Sequence, residues 1–194
     1  ENIGTGIFDV TSDYWSPGNL RSALLMNFTG SNGPTLHELS HIYAAFGLQN
    51  LGFHSCNSTS HWGAVGIGEG QLGGFNPDSL VDNGDGTYTV DSFGFFANGG
   101  DSVAYAPLEL YLMGLIPASA VDPIPVPIDV DCNSFSTSNG RTTFSAASMS
   151  TVTIEQIQAE LGGARVPSSD TSKKQFKAAF VAISDDPLST TELS

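Results

Sequence analysis

The segment Pro34–Gly47 reads P-T-L-H-E-L-S-H-I-Y-A-A-F-G. His37 and His41 are four residues apart, so on a helix they stand one above the other on a single face, where two imidazoles reach one metal ion. Glu38 lies beside them, rotated toward the same cleft. These residue types suit one chemistry. Neutral imidazoles favour Zn²⁺, a third protein ligand completes the cage, and an open position keeps a water whose pKa falls toward ~7. Glu38 would take that water's proton as it attacks a carbonyl carbon. The plain alternative is a capped helix with two ordinary histidines. Thr35 and Glu38 have capping-box spacing, which gives Glu38 a structural use of its own. A chain with four histidines, however, seldom produces this pattern by accident.

All four histidines, His37, His41, His54 and His61, fall within one short stretch. Three residues can supply the third ligand. His61 sits in Ser60-His61-Trp62-Gly63, a loop next to glycine and able to return to the helix. A third imidazole there gives the three-histidine set found where zinc keeps an open position. His54 is a second candidate. Glu109 is the third, because one class of zinc enzyme takes a glutamate from a downstream helix. It also lies in the first turn after Pro107, where an acid interacts favourably with a helix N-terminus with or without a metal.

The elements that must position these groups are short. Ile7–Val10 and Ala23–Phe28 read as strands separated by Ser16-Pro17-Gly18, the second a candidate edge strand beside the His37 helix. That helix is expected to run to about Phe46, with Gly47 as its C-cap. Between Gly47 and Gly100 the chain is glycine-dense and reads as loops and hairpins. Within it, Val81–Val90 carries N-G and D-G. Asp82, Asn83 and Asp85 offer oxygens for a calcium loop, but the spacing lacks the full calcium-loop series, and a hairpin turn is the preferred reading. Pro107–Leu115, P-L-E-L-Y-L-M-G-L, is a second helix, started by proline and stopped by Gly114 and Pro117. Val121–Val130 is a proline-rich extended strap. Thr151–Leu161 is a third helix, with Thr153 and Gln156 in capping-box positions, and Phe176–Ile183 is a strand.

The 194 residues suit one domain of ordinary size: a core over about 1–120 and a C-terminal subdomain over 121–194. With 20 acidic and 6 basic residues the formal charge is −14, and no Lys or Arg occurs between Arg21 and Arg141. Such a surface cannot neutralise phosphates, which argues against nucleic acid and anionic membranes as partners. It also leaves no cation beside the helix to steady an oxyanion. His54, Tyr43 or Tyr105 would have to help the metal there, Tyr105 reading more readily as a core or rim aromatic. No run is apolar enough to span a bilayer. Glu1 is not an initiator Met, so a mature or excised fragment is expected. The acidic, Lys-poor, Ser/Thr/Gly-rich composition points outside the cell, where Cys56 and Cys132 would form one disulfide.

H-E-L-S-H followed by Phe46-Gly47, then S-H-W, a glycine-rich turn and A-P-L-E-L-Y-L-M-G-L resembles the leishmanolysin-like branch of the metzincin zinc proteases, over roughly Pro34–Leu115. The resemblance implies a zincin-type α+β domain, a small mixed sheet beside the active-site helix. It also implies His37, His41 and His61 as zinc ligands and Glu38 as catalytic base. Two departures stand out. Ala44 replaces the usual glycine three residues after the second histidine, which suggests a longer helix. Leu72, in Gly70-Gln71-Leu72-Gly73-Gly74, takes the place of the usual methionine, with Met113 a possible substitute. The expectation is a secreted zinc endopeptidase acting on protein or peptide substrates, with calcium as a possible further ion. A zinc-stabilised adhesin or glycan-binding module, and a metal-free structural segment of a surface fibre, are the rivals.

Overall fold

Among the described residues after Gly47, turn residues cut the chain into short elements, and two apolar clusters hold them. The computed structural model describes residues 35–43, 47–53, 56, 61–91, 103–175, 177 and 189–191. The expected strands at 7–10, 23–28 and 176–183 lie outside the described residues, apart from residue 177, as do His54, Ala44 and Phe46. Among the described residues the protein is α+β: helices α1 (Thr35–Ser40), α2 (Pro107–Met113) and α3 (Ile154–Glu160), and strands β1 (Val81–Asp82), β2 (Thr87–Asp91), β3 (Ile124–Ile128), β4 (Ser136–Ser138), β5 (Arg141–Ser145) and β6 (Ser148–Val152). The described strands form antiparallel sheets rather than the mixed sheet expected: one of four strands in the order β1-β2-β5-β4 and one of two, β3-β6.

The β1–β2 hairpin follows from its turn. Asp82 accepts the Gly84 N–H, while Asp85 accepts both the N–H and the hydroxyl of Thr87, so the acids expected as turn residues close the loop on itself. Strand β2 alternates, turning Tyr88 and Val90 inward, and Tyr88 faces Phe144 of β5 in register. With Phe75 and Ala146 they make the smaller cluster. Strand β3 tolerates Pro125 and Pro127 because, among the described residues, β6 is its one sheet partner. The Pro125 carbonyl takes the Gly66 N–H instead, at 2.8 Å.

The larger cluster includes Trp62, Leu72, Leu108, Leu112, Val126 and Ile157, all nearly or fully inaccessible. Segment 62–75 serves both clusters, with Val65, Ile67 and Leu72 in one and Phe75 in the other.

Helix boundaries differ from expectation in instructive ways. Helix α1 ends at Ser40, and the next amides, Ile42 and Tyr43, bond three residues back to Leu39 and Ser40. His41 therefore stands in a tightened turn rather than in a long helix. Helix α2 stops at Met113 because Gly114 adopts a left-handed φ of 76°. A Cβ at Gly114 would collide with the guanidinium of Arg165. Helix α3 begins at Ile154, with the Gln156 side chain accepting the Thr153 N–H at 2.8 Å; the residues before it are drawn into β6 by pairing with β3. Among the described residues no helix is long and apolar enough to cross a membrane.

Cys56 and Cys132 form a disulfide across a sequence separation of 76 residues. Closing a loop of that length restricts the unfolded chain, so Cys56→Ala with Cys132→Ala should lower unfolding stability by about 2–4 kcal/mol. Urea denaturation of the double variant against the oxidised protein checks this, and matching midpoints would contradict it.

Candidate metal centre

His37 is held from two sides. Its backbone carbonyl accepts the Ser40 hydroxyl at 2.6 Å, and its Nδ1 lies 2.7 Å from the carbonyl oxygen of Gln71. A carbonyl can only accept, so Nδ1 carries the proton and Nε2 presents its lone pair. Both other rings converge on that lone pair: His41 Nε2 lies 3.1 Å from His37 Nε2, and His61 Nε2 lies 3.3 Å from it. The ring centroids are 4.8, 5.1 and 5.2 Å apart. Three nitrogens bound to one tetrahedral ion at ~2.0–2.1 Å would sit about 3.3–3.4 Å from each other. Two of the three separations match such a cage and all three nitrogens lie within 4.8 Å of one another, so His37, His41 and His61 could hold a metal ion.

Burial favours the form that a metal needs. His41 titrates at about 4, pushed down from the ordinary imidazole value first by desolvation and then by the charge of His37. It is neutral across the physiological range, and neutral imidazole is the ligand. Its Nδ1 is buried, with no hydrogen-bond partner among the described residues.

The third histidine arrives by backbone pairing. The Trp62 N–H donates to the Leu72 carbonyl at 2.9 Å, and Gly63 and Gly73 form an isolated parallel bridge. His61 is thereby fixed to the turn whose Gln71 carbonyl orients His37. Leu72, expected as apolar support, is fully buried in the larger cluster under this turn.

The remaining candidates fall elsewhere. Glu38 follows His37 on α1, partly buried, and is outside the grouped donors. Glu109, the alternative third ligand, is fully buried away from the three rings' common point. Its Oε1 accepts Trp62 Nε1–H at 3.0 Å and the Leu72 N–H at 2.8 Å, while Oε2 accepts the Gln71 N–H at 3.0 Å and the Ala106 N–H at 2.9 Å. With four donors on its two oxygens, this carboxylate organises loops. Tyr105, considered for an oxyanion, donates its hydroxyl to the Leu36 carbonyl at 2.9 Å and so ties α1 to the segment before α2. Met113 is the last residue of α2 and partly buried. Sequence reasoning missed Gln71, since what it contributes is a main-chain carbonyl, available to any residue type.

In the metal-free protein the sign of the His41 shift fixes a pH response. The unfolded chain binds this proton near pH 6.5 and the folded chain only near 4. Acidification between those values therefore favours unfolding, and the penalty stops growing below about 4. Thermal midpoints of the chelator-treated protein should fall as pH is lowered through this window, and less steeply in His41→Gln. Equal slopes for both proteins would refute the shift. Compared with family models, with curated proteins and with solved structures, the chain matches none of them, so the three histidines and the groups that hold them carry the functional reading.

Proposed function

We propose that this chain is a secreted zinc-dependent endopeptidase domain of the zincin type, similar to the leishmanolysin-like metzincins, with His37, His41 and His61 as ligands and Glu38 as general base. One observation carries the reading: the imidazoles of an H-E-x-x-H segment and of a distant loop meet at one point, with the glutamate next in sequence to the first of them.

Bound zinc would polarise a peptide carbonyl and lower the pKa of a water at its open position. The chain's own residues do the rest. His37 is oriented by the Gln71 carbonyl so that its Nε2 lone pair faces the ion. The carboxylate of Glu38 would take a proton from the attacking water and return it to the leaving amine. The disulfide supports an extracellular setting, where such bonds persist.

Purified protein should take up one zinc ion per chain, and His61→Ala should hold it far more weakly. Zinc uptake unchanged in His61→Ala would remove this histidine from the cage. Glu38→Gln should keep its zinc while cleavage of a peptide library falls about 10²–10⁴-fold. Zinc bound tightly with no cleavage by the native protein would instead favour a surface-binding module that uses the metal for stability. Wild-type turnover in Glu38→Gln would end the role proposed for that residue.

A further inference from the structure

Glu109 is a fully buried carboxylate, and its Oε1 accepts the Leu72 N–H. That N–H belongs to the same peptide unit as the Gln71 carbonyl, which accepts the His37 Nδ1 proton at 2.7 Å. A single amide therefore has a carboxylate on its hydrogen and an imidazole on its oxygen. Negative charge at the N–H end draws electron density toward the carbonyl oxygen and makes it a stronger acceptor. A stronger acceptor at Nδ1 makes the opposite nitrogen a more basic ligand, the effect that a carboxylate has when it touches a ligating histidine directly.

The same carboxylate reaches a second ligand by another path. Trp62 Nε1 donates to Oε1, and Trp62 is bonded directly to His61 in the chain. The Gln71 and Ala106 N–H groups occupy Oε2, so the carboxylate has little freedom to rotate. Gly70 completes the fit: a Cβ there would lie 2.6 Å from Oε2, so the turn closes over the carboxylate only without a side chain.

We propose that Glu109 is a positioning residue of the metal centre, raising the ligand strength of His37 through the 71–72 peptide and fixing His61 through Trp62. This rests on the metal-centre reading above and goes beyond it, since Glu109 touches neither metal nor substrate.

The test uses the whole oxidised chain loaded with Co²⁺, whose visible absorption reports ligand geometry, alongside a zinc dissociation constant from chelator competition. Both are measured well below the melting temperature. Glu109→Gln keeps the shape, removes the charge and turns an amide N–H₂ toward backbone donors. It should weaken zinc about 10–100-fold and alter the cobalt spectrum. A folded Glu109→Gln with a lowered melting temperature but wild-type affinity and spectrum has lost only a structural contact, and this overturns the proposal. Should Glu109→Gln fail to fold, Trp62→Phe decides. It removes one donor beside His61 and leaves the carboxylate, so a shifted spectrum and weaker zinc support the proposal, and wild-type values overturn it. A native protein that takes up neither ion defeats the metal-centre reading itself, an outcome distinct from a native protein that binds and a Glu109→Gln variant that binds equally well.

Discussion

Three imidazoles cannot share a few ångströms of space unless something fixes where their protons lie. The hydrogen bond from His37 Nδ1 to the Gln71 carbonyl does this, because it commits the ring to one tautomer and aims the remaining lone pair at His41 and His61. Without it, the ring could rotate or exchange tautomers and the point of convergence would be lost. The bond requires the 70–74 turn to lie against α1. That requirement explains why so much of the structure is devoted to holding a few glycine-rich residues: Phe75 and Leu72 anchor the turn in separate apolar clusters, and Trp62 pairs with it through the backbone.

The placement of the turn also links distant parts of the chain. Glu109 is on α2, which packs with α3 and β3 in the larger cluster. Tyr105, just before α2, donates to the first turn of α1. The three-histidine cluster therefore stands on contacts running from residue 36 to beyond residue 150, although its imidazoles come only from positions 37 to 61.

Much of this was legible in the residues. The H-E-x-x-H spacing and the S-H-W segment pointed to the three histidines that the fold brings together, because imidazole spacing and glycine-flanked loops are local signals. The hairpin at Asn83-Gly84-Asp85-Gly86, the proline start of α2 and the disulfide were also visible, since turn residues and cysteines act through their own chemistry. What could not be read was long-range or carried by main chain. The length of α1 was overestimated because apolar residues continue past Ser40 while the hydrogen bonding tightens there. The expected helix begins two residues too early, at the end of β6, because Thr151 and Val152 gain their strand geometry from pairing with β3. Glu109 looked like a ligand or a helix-start acid. Its bond to the Ala106 N–H is the helix-start role, while its bonds to the Gln71 and Leu72 N–H groups and to the Trp62 indole depend on which loops meet it, a fact of tertiary structure alone.

The scarcity of cations gives one of the few arginines an unexpected assignment. Arg165 is nearly inaccessible, and its guanidinium donates to the carbonyls of Leu112, Met113 and Pro167, while its own N–H meets the Tyr111 hydroxyl. Ser172 adds a further bond to the Gly114 carbonyl. These contacts satisfy the orphaned acceptors where α2 ends, so the stretch around 165–172 acts as a clasp on the helix that carries Glu109. A cut upstream of residue 165 would open that clasp, which makes the far end of the chain a keeper of the imidazole cluster that it never touches.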